Sequence, residues 1–424
     1  MFMSPKREVV ITGIGIVSPI GIGKDPFWQS LSEGRSGVRQ VAVFQQCGRP
    51  APIGAEIADF DPKQYVRPRK SLKVMSRDIQ LAFAAADMAY ADSGLRDKPL
   101  DPERGGVVFG ADMIACELSE LAAAYVPCIT DGQFDRRLWA SKAMPELYPL
   151  WMLKYLPNMP ACHIGIAEDL RGPNNSLIMG EVSALSAIVE ASRVIQRGQA
   201  DALIAGGVSS RVHPMIWSRY QAMQYSQRGD NPPAACRPFD AQRDGMINGE
   251  GAGALILETR AGALARGATI HGRVLGFAST FEPHGTGQPL RGTAIRNAIR
   301  QVLDASGIEP RQIAYVNAHG MSTTLDDRLE AQAIRDTLGD IPVTALKSYF
   351  GNLGAGSDAV ELAASVLAFE KGCVPPTLNY EHPDPECPVN VIHGAPGKQA
   401  GPVVLKLSHA MSGQAVALLL GAPD

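Results

Sequence analysis

The chain has 424 residues, 45% hydrophobic and 20% charged, with a formal net charge of −3. That length supports two packed layers of core or two domains sharing one interface, and the near balance of charge excludes a globally basic nucleic-acid or membrane binder. Seven scattered cysteines (Cys47, Cys116, Cys128, Cys162, Cys236, Cys373 and Cys387) form no C-x-x-C pair and no metal-ligand spacing to histidine, so no metal site is expected and a reduced, cytoplasmic setting is.

In chain order, the strand-like 8-EVVITGIG-15 begins too soon to follow a secretory signal, and no apolar run reaches the roughly 18 to 20 residues that span a bilayer. The stretch 12-TGIGIVSPIGIGK-24 fails the dinucleotide fingerprint because Ser18 stands where the third glycine belongs. It fails the phosphate loop because Asp25 follows Lys24, and a structural turn is the reading adopted. Next, 65-YVRPRKSLKVMSR-77 gathers Arg67, Arg69, Lys70, Lys73 and Arg77 within little more than a helical span. Residues 114–169, rich in aromatics and methionine, have the character of an insertion that covers a pocket or builds a subunit interface.

The most informative local pattern is 172-GPNNSLIMGEVSALSAIVEASRVIQRG-198. Ser176 to Met179 are predicted to end a buried strand, while Val182, Leu185, Ile188, Val189, Val194 and Ile195 recur at helical spacing before Gly198 stops the helix. Glu181 therefore falls at a strand-to-helix junction, where free backbone N–H groups and the helix dipole favour negative charge and where many enzymes hold a nucleophile. The segment 343-VTALKSYFGNLGAGSDAVELAASVLAFEKG-372 repeats the strand, small-residue turn and apolar helix, which suggests a duplicated α/β unit. The seam is placed after 249-GEGAGALILE-258, dividing the chain into residues 1–258 and 259–424.

Three further stretches complete the picture: 236-CRPFDAQRDGMINGEGAGALILE-258, 315-YVNAHGMSTTLDDRLEAQAI-334 and 346-LKSYFGNLGAGSDAVE-361. In this order and spacing, and with 403-VVLKLSHAMSGQAVALLLG-421, they resemble the β-ketoacyl-acyl-carrier-protein synthases of the thiolase superfamily over nearly the whole chain. The resemblance implies a thiolase-like α/β fold, with two pseudo-symmetric halves in a five-layered α-β-α-β-α arrangement, paired into a dimer. It also implies substrates carried on the phosphopantetheine of an acyl carrier protein and no other cofactor. In that family a cysteine at the helix start accepts an acyl chain, and two histidines hold the malonyl thioester while carbon dioxide leaves.

Carried onto this sequence, the first histidine is His319, the lysine is Lys347, and the acidic residue expected to pair with it is Glu330. The second histidine falls on Asn352 and the nucleophile on Glu181. The family's Phe-Gly-Phe-Gly-Gly gate falls on residues 409–413, where His409 and Met411 replace both aromatics. Asn352 can still donate an amide N–H to an enolate oxygen, but an acylated Glu181 would be a reactive mixed anhydride, so ordinary condensation is not expected.

Three roles follow. The first is a condensation-deficient partner subunit like the chain-length factors, with Glu181 filling the cysteine's place and ion-pairing with His319. The second is a malonyl-carrier-protein decarboxylase using His319 and Asn352; there, two carboxylates roughly 5 Å apart would repel by about 3 kcal/mol at an effective dielectric near 20 unless Glu181 is neutralised. The third is another acyl transfer with Glu181 as general base. In the family the segment holding Arg67, Arg69, Lys70 and Lys73 receives the acidic carrier protein, so docking is expected there. The partners implied are an acyl carrier protein and either a second copy or an active ketosynthase, with neither nucleic acid nor membrane.

Overall fold

In a computed structural model, residues 7–220, 223–283, 285 and 289–423 are described. The amino-terminal half supplies β1 (Val9–Ser18), α1 (Arg77–Asp92), β2 (Gly105–Ala111), β3 (Asn174–Leu177), α2 (Ser183–Gln196), β4 (Ala202–Ser210) and β5 (Glu250–Thr259). The carboxy-terminal half supplies β6 (Gly272–Phe281), α3 (Thr293–Ser306), β7 (Ile313–Asn317), α4 (Thr324–Leu338), β8 (Pro342–Thr344), α5 (Ser357–Lys371), β9 (Val403–His409) and β10 (Gln414–Gly421).

The two sets of strands pair by one rule. In the first, β1 and β4 run antiparallel to β5, β4 is parallel to β2, and β2 is parallel to β3. In the second, β6 and β9 run antiparallel to β10, β9 is parallel to β7, and β7 is parallel to β8. A short antiparallel contact of Val9–Ile11 with Gly272–Val274 joins them edge to edge. The match of β3 and α2 to β8 and α5 is the internal repeat expected from the sequence.

Strand alternation sorts the side chains into three cores. On β10, Val416, Leu418 and Leu420 face a central core with α2 and α5, while Ala415, Ala417 and Leu419 face an outer core with α3 and α4. On β5, Leu255 and Leu257 face the same central core, while Ala252, Ala254 and Ile256 face a second outer core under α1. Helices outside, sheet, helices between, sheet, helices outside make the expected five-layered, thiolase-like α/β fold. The rejected nucleotide motif has a packing role here. A Cβ on Gly15 would come 1.8 Å from the carbonyl oxygen of Ala85, so β1 lies directly against the backbone of α1.

Two sequence expectations are corrected. The strand around Ser176 is not buried: β3 is an edge strand, its Asn174 and Asn175 are exposed, and Ile178 beyond it is 50% exposed. The basic segment forms a short 3₁₀ helix over Arg69–Val74, and its membership is smaller than the sequence suggests. Arg77 does not join its surface, because its guanidinium pairs with the buried Glu250 at 2.7 Å.

Residues between β2 and β3 form short helices, turns and a small hairpin. Ile114 and Tyr155 from this region cover Val66, Ile79 and Phe83, while Tyr125, Phe134 and Met152 remain exposed. Among the described residues no helix is long and apolar enough to cross a membrane, and no cluster of three or more His, Cys, Asp or Glu is placed to hold a metal ion.

Candidate active site

The junction between β3 and α2 is a 3₁₀ turn, Gly180–Val182, and it turns the Glu181 side chain inward. Only 7% of Glu181 is exposed. An ionised carboxylate at that depth needs a counter-charge. Arg211, just past the end of β4 and 1% exposed, supplies it, with Nη1 donating to Glu181 Oε1 at 2.6 Å. The same guanidinium donates from Nη2 and Nε to Asp112 Oδ2 at 2.7 and 3.2 Å. Burial pushes the Glu181 carboxyl up, but the charge and hydrogen bond of Arg211 outweigh it and hold the group below the usual glutamate value. The expected pairing of Glu181 with His319 is therefore incorrect.

Space for Arg211 is made by Gly354. That residue has φ +53, and a Cβ there would come 2.4 Å from Arg211 Nε, so a side chain is excluded twice over. Asn352 lies two residues earlier, with Oδ1 accepting the Gly354 N–H at 3.0 Å. Its amide approaches Met246 Sδ at 3.7 Å and adds a lesser hydrogen-bonding contribution to Glu181. Asn352 thus stands beside Glu181.

His319 follows β7 and is buried. The Glu330 carboxylate on α4 accepts the backbone N–H groups of His319 and Gly320 at 2.7 and 2.8 Å, fixing the loop. Lys347 does not pair with Glu330. Its ammonium donates to Glu361 Oε1 at 2.7 Å and to the His319 carbonyl at 2.8 Å, and lies 3.3 Å from His319 Nδ1. The expected Lys347–Glu330 pair is replaced because Glu361, one turn into α5, faces the lysine while Glu330 is engaged by the loop. Glu361 also holds the buried Lys406 of β9.

With Lys347 donating to Nδ1, the His319 proton resides on Nε2. Burial lowers the basicity of His319 first, and the cations Lys347, His409, Lys406 and Arg211 lower it further, well below the ordinary histidine value. His319 is therefore neutral, a donor through Nε2–H. Its ring lies 4.5 Å, centroid to centroid, from that of His409. Burial opposes a charge on His409 too, but Glu330, with Oε2 at 3.8 Å from Nε2, raises its basicity above the ordinary value.

Glu181, His319, Met321, Asp326, His409 and Met411 line a narrow, half-open crevice that leaves no water-sized space between them. Asn352 is not among the residues lining it. Beyond Asp326 and Met411 a wider groove continues past Met223, Gln224, Leu290, Thr323 and Leu325. Surrounding loops are tied by the C-R-P-F-D stretch: Arg237 pairs with Asp240 at 3.1 Å, and Asp327 accepts the N–H of Phe239 at 2.8 Å and of Met321 at 2.7 Å. Arg67, Arg69, Lys70 and Lys73 lie at a distinct surface and are all exposed, Arg67 beside Asp87 at 3.2 Å.

With these features in place, the kinship is decided by sequence profiles. Those described as "Beta-ketoacyl synthase, N-terminal domain" and "Beta-ketoacyl synthase, C-terminal domain" match residues 6–263 and 271–381. The chain belongs to the β-ketoacyl synthase family. It is 34% identical over 419 residues, 97% of each chain, to 3-oxoacyl-[acyl-carrier-protein] synthase 2 of Synechocystis sp.. A solved β-ketoacyl synthase from Burkholderia phymatum superimposes with TM-score 0.89 at 29% identity, covering 99% of this chain and 100% of that one. The ishigamide ketosynthase/chain length factor superimposes with TM-score 0.85, also at 29% identity, covering 99% and 100%.

Sequence reasoning missed Arg211, Asp112 and Glu361. A signal for the first was present. Arg211 ends the apolar run 202-ALIAGGVSSR-211 as abruptly as Glu181 interrupts its own, and two buried charges of opposite sign are each other's natural partners.

Proposed function

We propose that this β-ketoacyl synthase homologue is a condensation-deficient subunit of fatty-acid or polyketide-type biosynthesis, pairing with a cysteine-bearing ketosynthase as a chain-length factor does. The observation that carries this reading is the buried Glu181–Arg211 ion pair at 2.6 Å. A carboxylate committed to a guanidinium is neither a nucleophile nor a free general base, and Arg211 occupies the space behind the junction. The half-exposed edge strand β3 leaves backbone groups unpaired, as an edge that pairs with another chain would. The exposed Arg67, Arg69, Lys70 and Lys73 suit an acidic acyl carrier protein.

Intact-mass spectrometry with acyl- and malonyl-carrier protein tests the reading, together with native mass spectrometry beside a cysteine-bearing ketosynthase. The expected outcome is a hetero-oligomer and no acylated form of this chain. Carbon-carbon bond formation by this protein alone would overturn it.

A second reading, decarboxylation of a malonyl-carrier thioester, is favoured by the neutral His319 with its N–H free of Lys347. The carboxylate repulsion that weighed against it is reduced by Arg211, which Glu181 shares with Asp112. Loss of carbon dioxide that requires His319 would support this reading, and no mass change would remove it.

A further inference from the structure

Four buried carboxylates gather between the start of α1 and the Glu181 junction. Glu181 and Asp112 share Arg211, while Glu250 at the start of β5 accepts two hydrogen bonds from Arg77, at 2.7 and 3.2 Å. Asp78, the residue after Arg77 on α1, is the fourth, and each of these acids is at most 7% exposed. Ser210 links them. Its N–H donates to Asp78 Oδ1 at 2.9 Å, its hydroxyl donates to Glu250 Oε2 at 2.8 Å, and the next residue is Arg211. One continuous network therefore runs from the partly exposed Arg77 to the Glu181 carboxylate.

Two guanidinium groups cannot neutralise four carboxylates. Among the described residues the other three acids each hold a cation, whereas Asp78 receives only backbone N–H groups. Like charges confined together out of water do not all ionise, and the acid without a counter-charge is the one that keeps its proton. The elements packed against α1 bring no further buried cation among the described residues. β1 has no charged residue, β4 has none before Arg211, and Glu258 at the far end of β5 is itself paired with Arg266. The short helix Met159–Ala167 brings His163, which burial holds below the ordinary histidine value, and the 3₁₀ turn Pro62–Gln64 brings Lys63, which is exposed.

We propose that Asp78 is the proton-holding member of this network and that the network is a latch. With the proton in place, the start of α1 seats on Ser210 and Arg211 is held to Glu181; loss of the proton loosens both. Burial is the largest cause raising the Asp78 carboxyl, Glu250 and Asp112 raise it further, and the Ser210 N–H offsets them only in part, so it is pushed up to about 7. The latch therefore works near neutrality. Deprotonation sets a new negative charge beside Glu250 and Asp112, and the change falls on Ser210, which bonds to Asp78 and Glu250 at once and precedes Arg211. The seat of Glu181 thus responds to pH through a group outside the crevice.

Folded Asp78 keeps a proton that the unfolded chain loses near 3.8, so its contribution to stability falls as pH rises from there to about 7 and is level above. The experiment compares wild type with Asp78→Asn, which keeps an oxygen for the Ser210 N–H. Denaturant unfolding is followed from about pH 5 to about pH 8, with hydrogen-exchange mass spectrometry of peptides covering residues 205–212 at both ends of that range, corrected for intrinsic exchange. The ratio of wild-type to variant unfolding constants is expected to rise about a hundredfold across the range. Protection around Ser210 and Arg211 should drop about tenfold in the wild type and stay level in Asp78→Asn. Asp112→Asn removes one crowding charge and leaves the Glu181–Arg211 pair, so it should move the wild-type fall to lower pH, and it supplies the test where Asp78→Asn does not fold. A ratio independent of pH, or a fall unmoved in Asp112→Asn, would overturn the assignment of the proton to Asp78. Wild-type protection that stays level across the range would overturn the latch.

Discussion

The two strand-to-helix junctions occupy equivalent places in the two halves, and each buries a charge. In the amino-terminal half the order is acid, base, acid, with Glu181 and Asp112 sharing Arg211. In the carboxy-terminal half Lys347 and Lys406 share Glu361, and a second carboxylate, Asp358, stands 3.4 Å from Lys406. The second group supports His319 directly, through its carbonyl and Nδ1. Among the described residues the first makes no hydrogen bond or ion pair to a histidine; it fixes the Glu181 carboxylate. Related geometry thus ties down a histidine in one half and a buried carboxylate in the other.

The largest effect should come from removing the shared centre. Arg211→Ala leaves Glu181 and Asp112 buried without their counter-charge and is expected to cost about 3–5 kcal/mol by denaturant unfolding. Glu361→Gln should cost a similar amount in the other half. If Arg211→Ala is neutral, the first triad is not a structural counterpart of the second.

Charge reversal at Arg69, Lys70 and Lys73 together is expected to weaken carrier-protein binding by about tenfold or more, about 1.4 kcal/mol, with a shallower salt dependence. Glu181→Gln keeps an acceptor for Arg211 and leaves the Arg211–Asp112 pair intact, so it should cost only about 1 kcal/mol.

The smallest effect is in the acid limb. Glu181 is more acidic in the fold than its ordinary value of 4.5, so its stabilising contribution is present above that value and lost as pH falls through the folded value. The wild type should therefore lose stability below about pH 4.5 more steeply than Glu181→Gln, a difference that acid unfolding curves would measure.

The fold was legible because strand, small-residue turn and apolar helix recur in both halves, and because buried strands and helices impose periods a single sequence carries. Glu181 was legible as an anomaly for the same reason: an acid interrupting an apolar run stands out. Its partner showed only as an arginine ending an apolar run, and the pairing across 30 residues depends on the end of β4 reaching the junction past β2, which no spacing in the chain encodes. The Lys347 pairing failed in a related way. Glu330 and Glu361 each lie in the first half of a helix, α4 and α5, and only the packing decides that the first serves backbone N–H groups and the second an ammonium. Likewise Ser176 to Met179 carry an apolar pattern whose exposure is decided by β3 lying at a sheet edge.

Gly354 gives the site a direction of change. With no room for a Cβ beside Arg211 Nε, the guanidinium has one seat, and its two carboxylates are fixed around it. Replacing Arg211 first strands two like charges, whereas replacing Glu181 first leaves a neutral pair. The cluster is therefore dismantled at lower cost in one mutational order than in the other, with Glu181 replaced before Arg211.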